Sequence, residues 1–457
     1  MNCLELNLYS SIPLLFSLVR VWFKDLMEIY DMRSLFSLKI LTLATAISLS
    51  CGTPAQAQTS QSKPVTAQEI ALGASQYGPM KQSQGAQYTV DPALNAYVKR
   101  IGLKLAKASE FPNLPYDFTV INNGEMNAWA LPGGKIAINR GLLAELGDEA
   151  QLASVLAHEI SHVTKRHSAR MQKKSQGASL LGALIGLGVG IKAPQYQDLA
   201  MQGFSVAAYG AQANYSRDYE IQADSAGMKM MLSSGYDPLA AVELQEIFLL
   251  QSKNRKSSAL SQLFASHPPS QERISANKLT AAKMPKGGMR GKSEYQKATA
   301  QLLKDKQAYQ HLKDSMLAYN ANNYQQALTL SEKAIALQPR ENLFWEMKGQ
   351  TLSKQERFSD SIPAFDRAVN ANPQFYRPLA LRGLAYKSLG QWQQAESNLM
   401  ASQQLLPTQT ATYHLGELAL RRGDRSSAAT YFNKAKQGGG ELGQAAQRQL
   451  ENMQYGY

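Results

Sequence analysis

Apolar and polar positions follow different patterns in the two halves of the chain. Between about residues 66 and 280, helical and strand patterns are mixed, and Lys135–Asn139 alternates as a strand does. Residues 148–151 have the form of a capping box that starts a helix, and an apolar run follows them. After a joint rich in Gly, Lys and Met at 283–289, the chain has helical patterns only. We therefore expect a mostly helical α+β domain with a small sheet, followed by an all-α domain.

The carboxy-terminal part contains a sequence repeat of 34 residues. Several columns keep this period, among them one of proline and one of small side chains: Pro339, Pro373 and Pro407, and Ala327, Ser361 and Ala395. Small residues let helices approach closely, and proline ends each second helix. This period resembles the tetratricopeptide repeat over about residues 305–440. We expect an all-α solenoid at 295–450 that binds peptides or proteins, with an unrelated helical bundle as the alternative.

The amino terminus has the layout of a secretory signal peptide within residues 1–57. A basic region precedes the apolar stretch Ile40–Leu49, and Ala55-Gln56-Ala57 has the form of a cleavage site. Residues 1–31 do not fit this layout, and we expect a mis-annotated start; a longer anchor is the alternative. A lipidation motif has leucine three residues before its cysteine, but Ser48 stands at that position before Cys51. Lipidation is therefore the weaker interpretation. The pattern predicts export across the cytoplasmic membrane.

Composition and charge exclude several classes of protein. The chain has 457 residues, of which 44% are hydrophobic and 18% charged, which excludes a disordered chain and a polytopic membrane protein. A net charge of +13 suggests an anionic partner or a peripheral membrane contact, and a solvated basic surface is the alternative. No motif supports nucleic-acid binding. Two cysteines are too few for a disulfide scaffold.

The sequence His158-Glu159-Ile160-Ser161-His162 lies on the helix that the capping box starts. Two imidazoles four residues apart share one helical face, which suits two positions of a tetrahedral zinc ion. Glu159 can then accept a proton from a water molecule at the open coordination position. The motif predicts a catalytic zinc site; a helix with two surface histidines is the alternative.

A third zinc ligand must come from another part of the chain. A metzincin would have a histidine at position 168, but this residue is Ser168 and His167 is one place off. Glu220 and Asp224 are better candidates because they share a helix face, so one carboxylate can bind zinc while the other orients a histidine ligand. This is the gluzincin spacing. Arg217 either pairs with a site carboxylate or forms a surface salt bridge.

Further motifs resemble the HtpX and CAAX-prenyl-protease-like family of zincin-like (gluzincin) metalloproteases. They are Asn127-Ala128-Trp129-Ala130-Leu131-Pro132-Gly133-Gly134 and Ser266-His267-Pro268-Pro269 with Arg273 downstream. The resemblance implies a zinc metallopeptidase domain at 66–280 with one Zn²⁺ per chain. It implies these roles: His158, His162 and Glu220 as zinc ligands, Glu159 as general base and Asp224 as a supporting carboxylate. His267 matches a histidine that can bind the metal as an additional ligand and hold the enzyme latent; a residue that stabilises the transition state and an ordinary loop histidine are the alternatives.

The combination of signal peptide, protease domain and repeats resembles periplasmic proteases of this family. It implies action on unfolded or stalled outer-membrane proteins, with docking to their assembly machinery through the repeats. A non-proteolytic chaperone or scaffold is the alternative. We expect Lys135–Asn139 to pair with extended substrate as an edge strand or to be a plain sheet strand. Gly177–Ile191 is either a cover over the cleft, a hairpin that touches the membrane, or a buried core segment.

Overall fold

The computed structural model describes residues 63–175, 215–253 and 261–455. The signal peptide predicted at 1–57 and the apolar segment Gly177–Ile191 lie outside the described residues. Within the described part of the chain, no helix combines the length and the apolar character that crossing a bilayer requires.

The amino-terminal part contains helices and a small sheet, as its mixed pattern predicts. Its elements are α1 (Ala67–Ser83), α2 (Pro92–Lys107), β1 (Asp117–Ile121), β2 (Ala128–Leu131), β3 (Lys135–Asn139), α3 (Arg140–Leu143), α4 (Glu149–Thr164), α5 (His167–Ser175), α6 (Arg217–Ser233), α7 (Leu239–Lys253), α8 (Ser261–Ser266) and α9 (Gln271–Ala281). Helix α4 is buried along most of its length between the sheet, α2 and α6. It is therefore the central helix of this core.

The sheet has the strand order β1-β3-β2, with β3 parallel to β1 and antiparallel to β2. The expectation that Lys135–Asn139 serves as an edge strand is wrong, because this strand is β3 and has a neighbour on both sides. Among the described residues, β2 has no strand on its other side, so β2 is the edge strand. The turn between β2 and β3 needs glycine: Gly133 and Gly134 have φ of +79° and +86°, which side chains other than glycine rarely adopt.

Helix α4 begins where the sequence predicts. The Asp148 carboxylate accepts a hydrogen bond from the Gln151 backbone N–H at 2.8 Å. Gln151 in turn accepts from the Gly147 N–H at 2.7 Å rather than from Asp148, so the box is displaced by one residue. Helix α6 approaches α4 closely at Gly227, where a Cβ atom would lie 3.2 Å from the backbone nitrogen of His158. This small residue brings the α6 carboxylates within reach of the α4 histidines.

The carboxy-terminal part is helical throughout its described residues, as the repeat predicts. Its helices are α10 (Lys292–Lys304), α11 (Lys306–Asn320), α12 (Tyr324–Leu337), α13 (Asn342–Lys354), α14 (Phe358–Ala371), α15 (Tyr376–Ser388), α16 (Trp392–Leu405), α17 (Gln409–Arg421), α18 (Arg425–Lys436) and α19 (Gly440–Tyr455). Consecutive helices from α11 to α18 pack as pairs, and the small residues Ala327, Ser361 and Ala395 are fully buried between them. The predicted small-residue column therefore marks the helix contacts.

The two parts share buried contacts. Tyr295 and Leu302 of α10 are 2% exposed and belong to the core that surrounds α4. Asn122, at the end of β1, donates a hydrogen bond of 2.7 Å to the fully buried carboxylate of Glu341, just before α13. Gln82 of α1 also donates to the backbone carbonyl of Gln374 at 2.6 Å. The repeats thus pack directly on the amino-terminal core.

Candidate metal centre

The structure places four potential metal ligands together, between the carboxy-terminal half of α4, the first turn of α6 and the residue that follows α8. His158 and His162 lie one turn apart on α4, and their Nε2 atoms are 2.9 Å apart. The Glu220 carboxylate on α6 lies 3.4 Å from His158 Nε2 and 3.2 Å from His162 Nε2. His267, which follows α8, brings its Nδ1 within 3.2 Å of His158 Nε2 and 3.1 Å of Glu220. All four donor atoms lie within 4.8 Å of one another.

These separations fit one zinc ion. Zinc–nitrogen bonds of about 2.0–2.1 Å place neighbouring ligand atoms of a tetrahedron about 3.3 Å apart. Five of the six separations between the donor atoms lie at 2.9–3.4 Å and agree with that value. Imidazole and carboxylate are also ligands that zinc accepts. The residues present can therefore hold zinc with His267 at the fourth position.

The electrostatic surroundings differ from one donor of the centre to the next. Burial of Glu220 opposes its negative charge, but the nearby His267 and His158 hold its pKa well below the usual range. Glu220 therefore remains a carboxylate. Burial lowers the pKa of His162, so its ring is neutral and offers a lone pair. Burial opposes a charge on His158, but the carboxylates of Glu220 and Asp224 raise its pKa to about 10. A cation in the centre would replace that proton as the partner of these carboxylates.

Glu159 lies beside the four ligands and outside the set. Its carboxylate Oε1 is 3.5 Å from Nε2 of His267, and the residue is 3% exposed. Burial raises the pKa of Glu159. A carboxylate with a raised pKa next to a metal position suits proton transfer near neutral pH.

Asp224 orients His158 and is itself held by two donors. Its Oδ1 lies 2.8 Å from Nδ1 of His158, which leaves Nε2 of that ring directed at the other ligands. Arg273 donates to both oxygens of Asp224, and Asn277 donates to Oδ2 at 3.1 Å. Although burial opposes ionisation, Arg273 and His158 hold the pKa of Asp224 well below its usual range. Arg273 also reaches Glu220, at 2.8 Å.

The centre opens onto a cleft of about 580 Å³, a volume that includes the solvent at its mouth. His158, Glu159 and His267 form part of its wall. Ala128 of β2 and apolar side chains from α4, α6 and α7 form much of the remaining lining. The edge strand β2 therefore borders the same cleft as the candidate ligands.

The structure brings all six sequence-predicted site residues together and adds others that the sequence did not indicate. His167 and Tyr215 both contact the His162 ring: Nδ1 of His167 lies 2.9 Å from Nδ1 of His162, and the Tyr215 ring stacks on it at 3.9 Å. The sequence analysis met His167 only as a histidine one place away from the metzincin position. Arg217 pairs with Glu272 on the surface, at 2.6 Å, so the salt-bridge alternative holds for it.

Comparison with known families assigns both parts of the chain. Residues 92–280 match Peptidase family M48. Residues 313–375 and 380–442 match the tetratricopeptide repeat. All four candidate ligands and Glu159 lie inside the first match. These matches confirm the predicted order of a protease-type domain and helical repeats.

Individual relatives cover different shares of the chain. The beta-barrel assembly-enhancing protease of Escherichia coli strain K12 is 34% identical over 187 residues, which is 40% of this chain and 38% of that protein. Its namesake from Yersinia pestis is 30% identical over 332 residues, or 66% of each chain. The mitochondrial metalloendopeptidase OMA1 of Schizosaccharomyces pombe is 32% identical over 180 residues, covering 39% of this chain and 50% of that protein. The match to the Escherichia coli relative spans less than half its length.

Proposed function

Because residues 92–280 form a domain of Peptidase family M48 and tetratricopeptide repeats follow it, we propose that this protein is a zinc-dependent endopeptidase. One observation carries the proposal: the donor atoms of His158, His162 and Glu220 converge, with Glu159 beside them, at the wall of an open cleft. A scaffold has no need for this combination of ligands and base. The geometry therefore favours the enzyme over the non-proteolytic alternative.

The residues divide the chemistry of peptide-bond hydrolysis among them. Zinc, when bound, polarises the scissile carbonyl and lowers the pKa of water. The Glu159 carboxylate accepts a proton from the attacking water and passes it to the leaving amine, a general-base role that its raised pKa supports. Asp224 fixes the His158 ring, so Nε2 and not Nδ1 faces the metal.

His267 has a separate role in this proposal. Its Nδ1 lies at the position of a fourth ligand, 3.1 Å from Glu220 and 3.2 Å from His158. A catalytic zinc site keeps one position open, whereas four protein ligands close it. We assign His267 as the ligand that holds the enzyme latent, and substrate binding requires its side chain to leave.

The cleft suits an extended polypeptide. Strand β2 has no strand on its outer side within the described residues, and its Ala128 lines the cleft. An extended chain can add to such an edge through main-chain hydrogen bonds, which recognise many sequences. The substrate is then unfolded or incompletely folded protein.

The relatives and the pattern of the amino terminus support a proposal for the place of action. Several relatives carry the name beta-barrel assembly-enhancing protease, and residues 32–57 have the layout of a signal peptide. The proposed substrates are stalled outer-membrane proteins in the periplasm, with the repeats docking to their assembly machinery. This location and these partners are consistent with a cleft for extended chains.

One variant tests the chemistry. E159Q should keep one equivalent of zinc and the wild-type unfolding midpoint, but it should cleave casein at least about 100-fold more slowly because it lacks the base. E272Q is the matched control, since Glu272 is an exposed carboxylate of a surface ion pair. A chelator should abolish cleavage and zinc should restore it. Undiminished cleavage by E159Q would exclude this mechanism.

The same variant identifies the substrate. An inactive protease with an intact cleft retains its substrate, so E159Q should crosslink to outer-membrane proteins in the native host. Wild-type protein treated in parallel should retain fewer of them. Recovery of the same proteins with both forms, or of no outer-membrane protein with either, would contradict the proposed substrate class.

A further inference from the structure

His167 is a fully buried histidine that has no part in the mechanism above. It follows the zinc-binding motif and lies outside the set of metal ligands. Its Nδ1 is 2.9 Å from Nδ1 of His162, so one of the two nitrogens donates a hydrogen bond to the other. We propose that His167 is a positioning residue: it accepts the hydrogen bond of His162 and holds that ring in the orientation that binds the metal. The inference rests on the proposed function in taking His162 as a ligand.

The direction of this hydrogen bond follows from the other side of the His162 ring. Nε2 of His162 points to Glu220 and to Nε2 of His158, at 3.2 and 2.9 Å, and must offer its lone pair to a metal there. A neutral imidazole with a free Nε2 carries its proton on Nδ1. That proton points to Nδ1 of His167, which is therefore the acceptor.

The backbone between the two histidines makes the contact possible. In one continuous helix, residues five apart differ by about 140° around the axis and do not face each other. Arg166 interrupts the helix with φ of +55°, between the end of α4 and the start of α5. The turn brings the His167 ring back against His162. Arg166 is held there by the Glu69 carboxylate, at 3.0 Å.

Stacking contacts fix both rings. The Tyr219 ring lies parallel to His167, with centroids 4.5 Å apart and planes within 5°. The Tyr215 ring stacks on His162 at 3.9 Å. Rotation of either imidazole would disrupt these contacts as well as the hydrogen bond. The arrangement therefore restricts His162 to one orientation before any metal binds.

The two histidines of the motif then have different supports. His158 is held by the charged carboxylate of Asp224, whereas His162 is held by the neutral ring of His167. Partners of this kind change metal affinity by about 10–100-fold when they are removed. We expect an effect in this range from the loss of the His167 nitrogen.

Zinc affinity of the full-length protein, measured by competition with a chromogenic chelator, tests this inference. H167L removes the acceptor nitrogen and should raise the zinc dissociation constant about 10–100-fold. H167F does the same while keeping a ring against Tyr219, and it replaces H167L if that variant does not fold. H167N keeps an acceptor oxygen near the position of Nδ1 and should stay within about threefold of wild type. H414N, remote from the centre, is the control.

Two results would overturn the role of His167. One is wild-type zinc affinity in H167L or H167F, which would leave His167 as packing only. The other is equal weakening in H167N and H167L, since the acceptor would then be irrelevant. H162A separates this inference from the proposed function: if H162A keeps full zinc occupancy, the ligand set itself fails. If H162A loses zinc while H167L binds it normally, only the role of His167 fails.

Discussion

Arg273 donates hydrogen bonds to both oxygens of Asp224, from Nε to Oδ2 at 2.9 Å and from Nη2 to Oδ1 at 2.8 Å. Arg273 is 1% exposed and Asp224 is 7% exposed. The same carboxylate contacts His158, so a single chain of contacts runs from α9 to the metal centre. Bidentate geometry of this kind fixes the plane of the carboxylate as well as its position.

Removal of the Arg273 guanidinium should strongly destabilise the protein. R273A leaves Asp224 and Glu220 buried without their cation, and breaking a buried pair costs about 3–5 kcal/mol in the free energy of unfolding. R273K keeps the charge but loses the paired hydrogen bonds, so its free energy of unfolding should lie between those of the wild type and R273A. Urea-induced unfolding measures both. R217A should change the free energy by less than about 1 kcal/mol, because its ion pair is exposed. A loss below 1 kcal/mol in R273A would contradict the prediction.

Substitution of His267 should activate the proposed enzyme. In H267A the fourth ligand position is open, while His158, His162 and Glu220 still hold zinc. If the open state of the wild type is a minor one, populated to about 10% or less, basal casein cleavage should rise at least about tenfold. Zinc content should remain at one equivalent. The control H414A should cleave at the wild-type rate, and decreased cleavage by H267A would instead assign His267 to stabilising the transition state.

Glu125 should make stability fall as pH rises. Burial raises the pKa of Glu125, and its Oε2 is buried without a hydrogen-bond partner among the described residues. A carboxyl whose pKa is higher in the folded state destabilises that state once pH rises above its unfolded value, near 4.5. E125Q should therefore stabilise the protein at pH 7, by on the order of 1 kcal/mol, and leave it unchanged near pH 4. Urea midpoints at both pH values, with E272Q as the exposed control, measure the effect; equal gains at both would refute it.

Tyr295 should contribute strongly to the stability of the protease-type core, although it lies on α10, the first helix of the carboxy-terminal part. Its hydroxyl donates to the Leu143 carbonyl at 2.6 Å, and its ring packs in the core around α4. Y295A should cost about 3–5 kcal/mol because it leaves a large cavity, and Y295F about 1–2 kcal/mol through the lost hydrogen bond. K297A, exposed on the same helix, should be neutral. If unfolding curves show Y295A to be as stable as K297A, α10 is only a linker.

The sequence predicted correctly those contacts that depend only on the spacing of residues within one helix. His158 and His162, or Glu220 and Asp224, share a face in any helix, so their clustering could be predicted from spacing of four. The repeat columns were equally local. Strand order was not: an alternating segment such as Lys135–Asn139 has the same pattern in a central or an edge position, and its pairing with β1 decides which it is.

Two contacts of the metal centre depend on features that no residue pattern shows. His167 faces His162 only because Arg166 adopts a left-handed conformation, which is unusual for arginine. Arg273 is fully buried, whereas most arginines are exposed, and its partners Asp224 and Glu220 lie about 50 residues away on another helix. Such contacts follow from the packing of α4, α6 and α9 and become visible only in three dimensions.

The contacts of Glu341 and Gln374 with the amino-terminal part determine which repeat helices unfold locally most easily. In a solenoid each helix pair is stabilised mainly by its neighbours, so an isolated array frays from both ends. Here the first half of the array is anchored, because Asn122 and Gln82 hold the segments just before α13 and α15. Helix α19 packs on α17 and α18 at the other end. Amide hydrogens should therefore exchange with solvent fastest in α19 and progressively more slowly toward α13.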